Sequence, residues 1–181
     1  MDTLNKDITR MLFDQGSIEK RIRELGLLLS KDYENKNPIL ICILRGAVVF
    51  LSDLMRSITI PLEIDFMSVS SYGNSTVSSG VVQIRKDLDI DIQNRHVIVI
   101  EDIVDSGLSL NYIKDFLSKR NPLSVKTCAL LNKPTAHKVN IEIDYVGFEI
   151  NDEFVVGYGL DYASKFRNLP FIGVLKENIY K

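Results

Sequence analysis

The chain has 181 residues, of which 45% are hydrophobic and 25% are charged, and its net charge is −2. This length and balance predict a single soluble domain over residues 1–181 rather than a disordered chain. The small negative charge gives no overall electrostatic basis for binding nucleic acid or an anionic membrane, so we expect neither partner.

The cysteines and the apolar segments indicate the compartment. Cys42 and Cys128 each lie inside an apolar run, which predicts buried thiols in a reducing compartment rather than a disulfide framework. The first ten residues, MDTLNKDITR, lack the basic and apolar regions of a secretory signal. The most apolar segment, residues 39–51, is too short to span a bilayer and contains Arg45. We therefore expect a cytoplasmic protein.

Helical and strand patterns alternate along the first two-thirds of the chain. Residues 17–33 carry apolar side chains at positions 18, 22, 25, 28 and 29, which form one face of a helix with Ser17 as its predicted N-cap. Residues 38–44 are a continuous apolar run, typical of a strand buried on both faces. Helices are also predicted at 47–58 and 109–120, and strands at 61–73, 81–85, 96–102, 124–131, 144–150, 154–160 and 171–175.

This alternation predicts an α/β fold, with a central, mostly parallel sheet and helices on both faces. Two of the predicted strands are separated by residues 70–80, SSYGNSTVSSG, which are rich in Ser and Gly. We expect this segment to be a mobile loop. For roughly the first 35 residues, the pattern predicts a helix and nothing more specific.

Three carboxylates follow the apolar run VIVI: Glu101, Asp102 and Asp105. Because ligands of parallel sheets bind beyond the carboxyl ends of the strands, we expect these acids in a site. They could accept hydrogen bonds from sugar hydroxyls or help to hold Mg²⁺. The alternative is that they are solvated acids beside an ordinary turn.

The segment after these acids has the features of a phosphate site. Ser106 and Ser109 supply hydroxyls, and Gly107 allows the backbone to close around an anion. A loop that leads into a helix also offers free N–H groups and the positive end of the helix dipole. Together with the acids, the segment suits a phosphorylated ribose.

The stretch VIVIEDIVDSGLS, residues 97–109, resembles the phosphoribosyl-diphosphate motif of type I phosphoribosyltransferases. The similarity to the hypoxanthine–guanine members of that family extends over residues 39–175. The resemblance implies that family's fold, with a small hood beside the main sheet. The other segments that carry the similarity are ILRGA (43–47), SSYG (70–73), LLNKP (130–134) and DEFVVGYGLDYASKFRNLP (152–170).

The resemblance implies an enzyme of purine salvage. It would use Mg²⁺ and transfer 5-phosphoribosyl from phosphoribosyl diphosphate to N9 of hypoxanthine or guanine, giving IMP or GMP and diphosphate. Asp105 corresponds to the family's general base or acid, near N7 of the purine. An ordinary carboxyl is a weak base at pH 7, so we expect burial or a nearby phosphate to strengthen it. Glu101 and Asp102 correspond to the acids that hold the ribose hydroxyls, directly or through Mg²⁺.

The remaining site residues also follow from the resemblance. Lys133 would donate to O6 of a 6-oxopurine and disfavour the amino group of adenine. Phe154 would stack on the purine, while the backbone of Val155 would contact its N1 edge. The other assignments are Ser106, Gly107, Leu108 and Ser109 to the 5′-phosphate, Arg45, Gly46 and Arg167 to diphosphate, Asp161 to Mg²⁺, and Ser71 and Tyr72 to a closing loop.

Two alternatives remain at this stage: a regulator that senses phosphoribosyl diphosphate and binds nucleic acid, and a transferase that prefers xanthine. The presence of Asp105, Lys133 and Asp161 favours chemistry over regulation. Hypoxanthine, guanine and xanthine share O6, so Lys133 does not discriminate among them. The family also implies a homodimer or a homotetramer, and often a cis peptide at Leu44–Arg45; the sequence decides neither point.

Overall fold

The main sheet has six strands in the order β4-β3-β2-β5-β6-β7 in a computed structural model that describes residues 6–71 and 82–180. Five of its strands are parallel to one another: β3, β2, β5, β6 and β7. The sixth, β4, lies at one edge and pairs antiparallel with β3. This confirms the predicted mostly parallel sheet. The strands are β2 (Ile39–Leu44), β3 (Glu63–Ser71), β4 (Val82–Lys86), β5 (His96–Val104), β6 (Ser124–Asn132) and β7 (Tyr145–Glu149).

Helices cover both faces of this sheet, as predicted. Helices α1 (Gln15–Asp32) and α2 (Ala47–Ser57) pack on one face, and α3 (Leu108–Ser118) packs on the other. Alternate residues of β2 face the two layers: Leu40 and Cys42 point to one core, and Ile39 and Ile41 to the other. A strand buried on both faces needs a continuous apolar sequence, which is the pattern of residues 38–44.

A smaller antiparallel sheet forms the hood, in the order β1-β9-β8. Its strands are β1 (Ile8–Phe13), β8 (Val155–Val156) and β9 (Ile172–Leu175), and the short helix α4 (Glu177–Tyr180) follows. Strand β1 was not predicted. The strand predicted at 154–160 is wrong beyond Val156, because Gly157 takes a φ of +100° and turns the chain.

Two further details of the predicted helix at 17–33 are wrong. The N-cap is Asp14 rather than Ser17: Asp14 Oδ1 accepts a hydrogen bond of 2.7 Å from the Ser17 N–H. Leu28 is 44% exposed, because the buried face is centred on positions 18, 22, 25 and 29 and Leu28 lies about 100° away from Leu29.

Cys42 and Cys128 are both buried free thiols, as predicted. Over residues 6–71 and 82–180, we find no helix with the length and apolar character needed to cross a membrane. Ser71 ends β3, whereas Tyr72 and most of the predicted loop at 70–80 lie outside the described residues.

Candidate active site

The carboxyl ends of three neighbouring strands meet at one edge of the main sheet. Strand β2 leads into Arg45, β5 into Asp105, and β6 into Lys133. The Lys133 N–H donates a 2.9 Å hydrogen bond to the Val104 carbonyl, which joins the ends of β5 and β6. Residues that are far apart in the sequence therefore share one site, as expected for a parallel sheet.

Glu101 and Asp102 lie within β5 and not after it, because β5 continues to Val104. Glu101 is only 8% exposed, and burial, with a smaller effect of Asp102, raises its pKa well above the ordinary value. Burial also raises the pKa of Asp102 to about 6, although backbone hydrogen bonds, including one of 2.9 Å from the Ile103 N–H, oppose the rise. Arg167 opposes it further, and Asp161 adds to it. The site therefore holds two carboxyls whose charged forms are disfavoured in the absence of a ligand.

Gly46 leaves room for the Asp102 side chain of β5 beside the segment that follows β2. A Cβ atom at Gly46 would lie 1.5 Å from Asp102 Oδ2. Its φ of −63° is accessible to any residue, so the glycine is required for space and not for conformation. The peptide bond between Leu44 and Arg45 is cis, and the Arg45 side chain is exposed. The diphosphate segment predicted from the sequence thus lies directly against Asp102.

The phosphate segment forms a cradle of the predicted kind. Gly107 takes a φ of +76° and precedes α3, whose N-terminus has no side-chain cap. A cavity of about 110 Å³ lies here, lined by residues that include Glu101, Asp105, Ser106, Gly107 and Ser109. Leu108 begins α3, so only its backbone is suited to an anion. An uncapped helix N-terminus beside two hydroxyls can bind a phosphate.

Lys133 lies between two carboxylates. Its side chain is 7% exposed, and Nζ lies 3.4 Å from Asp105 Oδ2 and 3.1 Å from Asp152 Oδ1. The Asp105 side chain is 58% exposed, so of the two expected influences, burial and a nearby phosphate, only the phosphate stays a prediction. Asp105 lies just beyond the end of β5, where the chain turns towards α3. A proton acceptor and an ammonium donor are therefore adjacent at the mouth of the site.

The predicted stacking residue, Phe154, belongs to an aromatic group in the hood. Its ring is half-buried and stacks on Tyr180, with centroids 4.6 Å apart and planes at 20°. Tyr162 meets the same ring edge-on at 5.6 Å. Val155 is buried in β8 and pairs with Val174. The ring is thus held from two sides.

Asp161 and Arg167 form the wall opposite Arg45 and Gly46. An Arg167 Nη2 to Asp161 Oδ1 ion pair spans 2.6 Å, and Arg167 Nη1 donates to the Gly159 carbonyl at 2.6 Å. A Cβ atom at Gly159 would lie 2.2 Å from the Gly46 carbonyl oxygen. The two segments assigned to diphosphate and Mg²⁺ therefore touch through their glycines.

The carboxylates suit Mg²⁺ only as part of a shared site. Asp161 is close enough to Asp102 to raise its pKa. Among the described residues, however, no group of three or more His, Cys, Asp or Glu side chains is arranged to hold a metal. Mg²⁺ commonly takes one or two carboxylates together with substrate phosphates and water. This donor set fits such an ion when the substrate supplies the remaining oxygens.

Asp152 and Tyr180 contact site residues but were missed in the sequence. Asp152 is 19 positions from Lys133, and Tyr180 is 26 positions from Phe154. Neither pair has a helical or strand spacing, so no periodic pattern could have indicated the contact.

Comparison with known proteins identifies the family. Residues 9–163 match the family model described as the phosphoribosyl transferase domain. The chain is 52% identical over 177 residues to the hypoxanthine-guanine phosphoribosyltransferase of Streptococcus thermophilus, and the match covers 98% of each chain. The chain belongs to the hypoxanthine-guanine phosphoribosyltransferase family.

The fold agrees with this family throughout. The crystal structure of a hypoxanthine phosphoribosyltransferase from Staphylococcus aureus superposes with a TM-score of 0.96 at 45% identity, covering 99% of this chain and 97% of that one. The chain is also 50% identical over 179 residues to the bifunctional protein TilS/HprT of Listeria monocytogenes. That match covers 99% of this chain, which spans 28% of the length of the bifunctional relative.

Proposed function

We propose that the protein transfers the 5-phosphoribosyl group of phosphoribosyl diphosphate to N9 of hypoxanthine or guanine. The observation that carries this proposal is the 3.4 Å approach of Lys133 Nζ to the Asp105 carboxylate, beside the 110 Å³ cradle at Gly107. A 6-oxopurine presents O6 and N7 on one edge. An ammonium and a carboxylate side by side match that edge, with the phosphate cradle adjacent.

In this reaction the bond from C1′ to the diphosphate oxygen breaks and the bond from C1′ to N9 forms. The purine gives up a proton, which Asp105 accepts near N7, and the diphosphate leaves with the bonding electrons. Arg45 and Arg167 would neutralise the diphosphate, and Glu101 and Asp102 would hold the ribose hydroxyls. These positioned charges act where charge develops, which is the main source of catalysis in such sites.

Mg²⁺ is the proposed cofactor, and it would neutralise charge on the diphosphate. Asp161 would supply one ligand oxygen, and Glu101 and Asp102 are further candidates. Because Asp161 is already paired with Arg167, we propose that it acts with substrate oxygens and water rather than in an all-protein cage. The elevated pKa of Asp102 supports a cation at this position, since a cation would reduce the cost of charging that carboxyl.

Base selection is assigned to Lys133 and Phe154. Lys133 has hydrogen atoms to donate and no lone pair to offer, so it favours O6 over the amino group of adenine. Its low exposure and its contact with Asp152 support a fixed direction for this donor. Phe154 would stack on the base, and the Val155 backbone would contact the N1 edge.

We propose that residues 1–181 act as one domain. The protein is proposed to work in the cytoplasm as a homodimer or homotetramer and to bind neither nucleic acid nor membrane. Ser71 and Tyr72 are proposed to belong to a loop that excludes water from the reacting centre.

A steady-state assay of nucleotide formation tests the function. Phosphoribosyl diphosphate and Mg²⁺ are supplied with hypoxanthine, guanine, xanthine or adenine. We expect turnover of the 6-oxopurines and none of adenine. Asp105→Asn should lower kcat by about 10²- to 10⁴-fold, the usual contribution of a general base. Lys133→Ala should lower kcat/KM for the base by about 10³-fold and reduce the discrimination against adenine.

Lys126→Ala is the matched control, because Lys126 also pairs with an aspartate but lies near the amino end of β6. It should leave kcat/KM unchanged. Turnover only of xanthine would favour the xanthine-preferring alternative. Tight binding of phosphoribosyl diphosphate without turnover of any base would contradict the enzyme and support the regulator.

A further inference from the structure

Tyr158 has an unusual backbone conformation next to the site. Its φ is +49°, a left-handed conformation that a bulky residue rarely adopts without compensation. Gly157 and Gly159 on either side also have positive φ values, of +100° and +99°. Tyr158 is nevertheless only 6% exposed, so the turn directs an aromatic side chain into the protein.

The Tyr158 side chain contacts a carboxylate of α2. Its hydroxyl donates a short hydrogen bond to Asp53 Oδ2, and Asp53 Oδ1 pairs with Arg56. Burial, and then the bond to Asp53, raise the pKa of Tyr158, so the phenol keeps the proton that it donates. The partner residue lies on α2, the helix that begins immediately after Gly46.

The residues that flank Tyr158 are joined to the diphosphate wall. The Tyr158 N–H donates to the Leu169 carbonyl at 2.9 Å, and the Gly159 N–H donates to the Arg167 carbonyl at 2.9 Å. The Gly159 carbonyl in turn accepts from Arg167 Nη1, and Arg167 pairs with Asp161. The turn thus fixes both the backbone and the side chain of Arg167.

The same turn touches the opposite wall of the site. Gly159 approaches the Gly46 carbonyl so closely that a Cβ atom would lie 2.2 Å from it. The two glycines are more than 100 residues apart in the sequence, so tertiary contacts alone hold them together. The turn and α2 share an apolar core, and the Tyr158–Asp53 hydrogen bond adds a directional polar contact between them.

We propose that the Tyr158–Asp53 hydrogen bond is a positioning device, which holds the Asp161–Arg167 wall at the correct distance from Arg45 and Gly46. This inference rests on the proposed function of these residues in diphosphate and Mg²⁺ binding. The bond acts on the diphosphate half of the site. Lys133 and Phe154, which are assigned to the base, are held by other contacts.

Tyr158→Phe tests the inference, because it removes the hydroxyl and keeps the ring. We expect the KM for phosphoribosyl diphosphate to rise by about 5- to 20-fold, less than the full effect of losing one hydrogen bond to a charged group, because the bond acts on the ligand only through the position of the wall. The Mg²⁺ concentration for half-maximal rate should rise in parallel, whereas the KM for the base should change by less than about 2-fold. If Tyr158 had a purely structural role, its loss would lower Tm and would not raise the KM for phosphoribosyl diphosphate relative to the KM for the base.

Tyr145→Phe is the matched control. The Tyr145 hydroxyl donates to Asp32 Oδ2 of α1 at 2.9 Å, so it too is a tyrosine–aspartate hydrogen bond to a helix. Tyr145 lies at the amino end of β7, away from the site. Its loss should lower Tm without changing either KM.

A double-mutant cycle identifies the partner. Asp53→Ala should raise the KM for phosphoribosyl diphosphate as Tyr158→Phe does, and the double variant should be no worse than the weaker-binding single variant. Arg56→Ala removes the other contact of Asp53 and should leave the KM unchanged. Wild-type turnover with equal KM values in wild type and Tyr158→Phe would overturn the inference alone. Absence of wild-type turnover would instead overturn the proposed function.

Discussion

Acids at the two ends of the parallel strands differ in their hydrogen-bond and ion-pair partners. Towards the amino ends, Asp65 is 3% exposed and accepts hydrogen bonds from the N–H groups of Asp89 and Ile90 at 2.8 and 3.0 Å. Asp144 accepts from the Thr127 N–H at 2.8 Å and pairs with Lys126 at 2.6 Å. Each of these acids has donors that stabilise its charge.

At the carboxyl ends, Glu101 and Asp102 are neighbours of like charge, and their pKa values are raised. Within residues 6–71 and 82–180, neither forms a salt bridge. The difference teaches that an acid used for structure is given its partners by the fold. Glu101 and Asp102 differ in having no cationic partner among the described residues, although Asp102 accepts a hydrogen bond of 2.9 Å from the neighbouring Ile103 N–H. We expect the proposed ligand or Mg²⁺ to stabilise their charged forms, which otherwise lower stability.

The largest effect should come from crowding the carboxyl end. In Gly46→Ala, the added Cβ would overlap the Asp102 carboxylate, so the Asp102 side chain must turn away or the diphosphate segment must move. We expect kcat/KM to fall by about 10³-fold and the free energy of unfolding by about 1–3 kcal/mol. Steady-state kinetics and chemical denaturation measure the two effects.

Gly16→Ala is its control, because Gly16 lies in the first turn of α1 and the nearest atom to its Cβ would be 3.8 Å away. It should keep full activity and gain about 0.5–1 kcal/mol in unfolding free energy. Equal losses in both variants would contradict the role assigned to the contact with Asp102.

A neutral side chain at position 102 should separate stability from activity. The folded pKa of Asp102, about 6, exceeds the ordinary value of 3.8. The native state therefore binds more protons between these pH values. The contribution of the protonated Asp102 carboxyl to stability is present below pH 3.8 and is lost as the pH rises through 6. Asp102→Asn should remove this pH step and raise the free energy of unfolding at pH 7.5 by about 1–3 kcal/mol.

The same variant should lower kcat/KM by about 10²-fold, because it removes a charge assigned to the ribose or to Mg²⁺. Denaturation is followed from pH 4 to 7.5 in EDTA, so that no bound cation masks the titration. A wild-type protein whose stability does not fall over this range relative to Asp102→Asn would show that the carboxyl is not held in an unfavourable state.

The smallest kinetic effect should come from the opposite end of the sheet. Asp144→Ala removes the acceptor of the Thr127 N–H and the partner of Lys126. We expect the free energy of unfolding to fall by about 1–2 kcal/mol, as for a lost buried hydrogen bond. The kinetic constants should remain within about 2-fold of wild type. A loss of activity without a loss of stability would break the distinction between the two ends.

The main elements could be predicted because each carries its own pattern. The continuous apolar run of β2 indicated burial on both faces, and the spacing in α1 indicated its core face. Strand β1 could not be predicted, because Ile8–Phe13 is held by pairing with β9 more than 150 residues away. The early end of β8 was missed because apolar residues continue beyond the turn at Gly157, as far as Leu160.

The site was predicted as a set of residues but not as an arrangement. Glu101, Asp102 and Asp105 could be found because they follow an apolar run, and the resemblance to the family supplied Lys133, Asp161 and Arg167. Asp105 was expected to be strengthened by burial or by a nearby phosphate, and its exposure leaves the phosphate as the prediction, because sequence position does not reveal how far a residue projects beyond a strand end. Asp53 and Tyr158 had no sequence signal for a shared hydrogen bond.

The sequence by itself determined the α/β class and the order of the main elements, because periodicity is a local property of the chain, and its resemblance to the family supplied the candidate groups of the site. Only the tertiary structure decided which groups meet: Lys133 with Asp152, Gly46 with Asp102, and Tyr158 with Asp53. These contacts join segments separated by 19 to 105 residues. Their geometry depends on sheet register and helix packing, which no local pattern specifies.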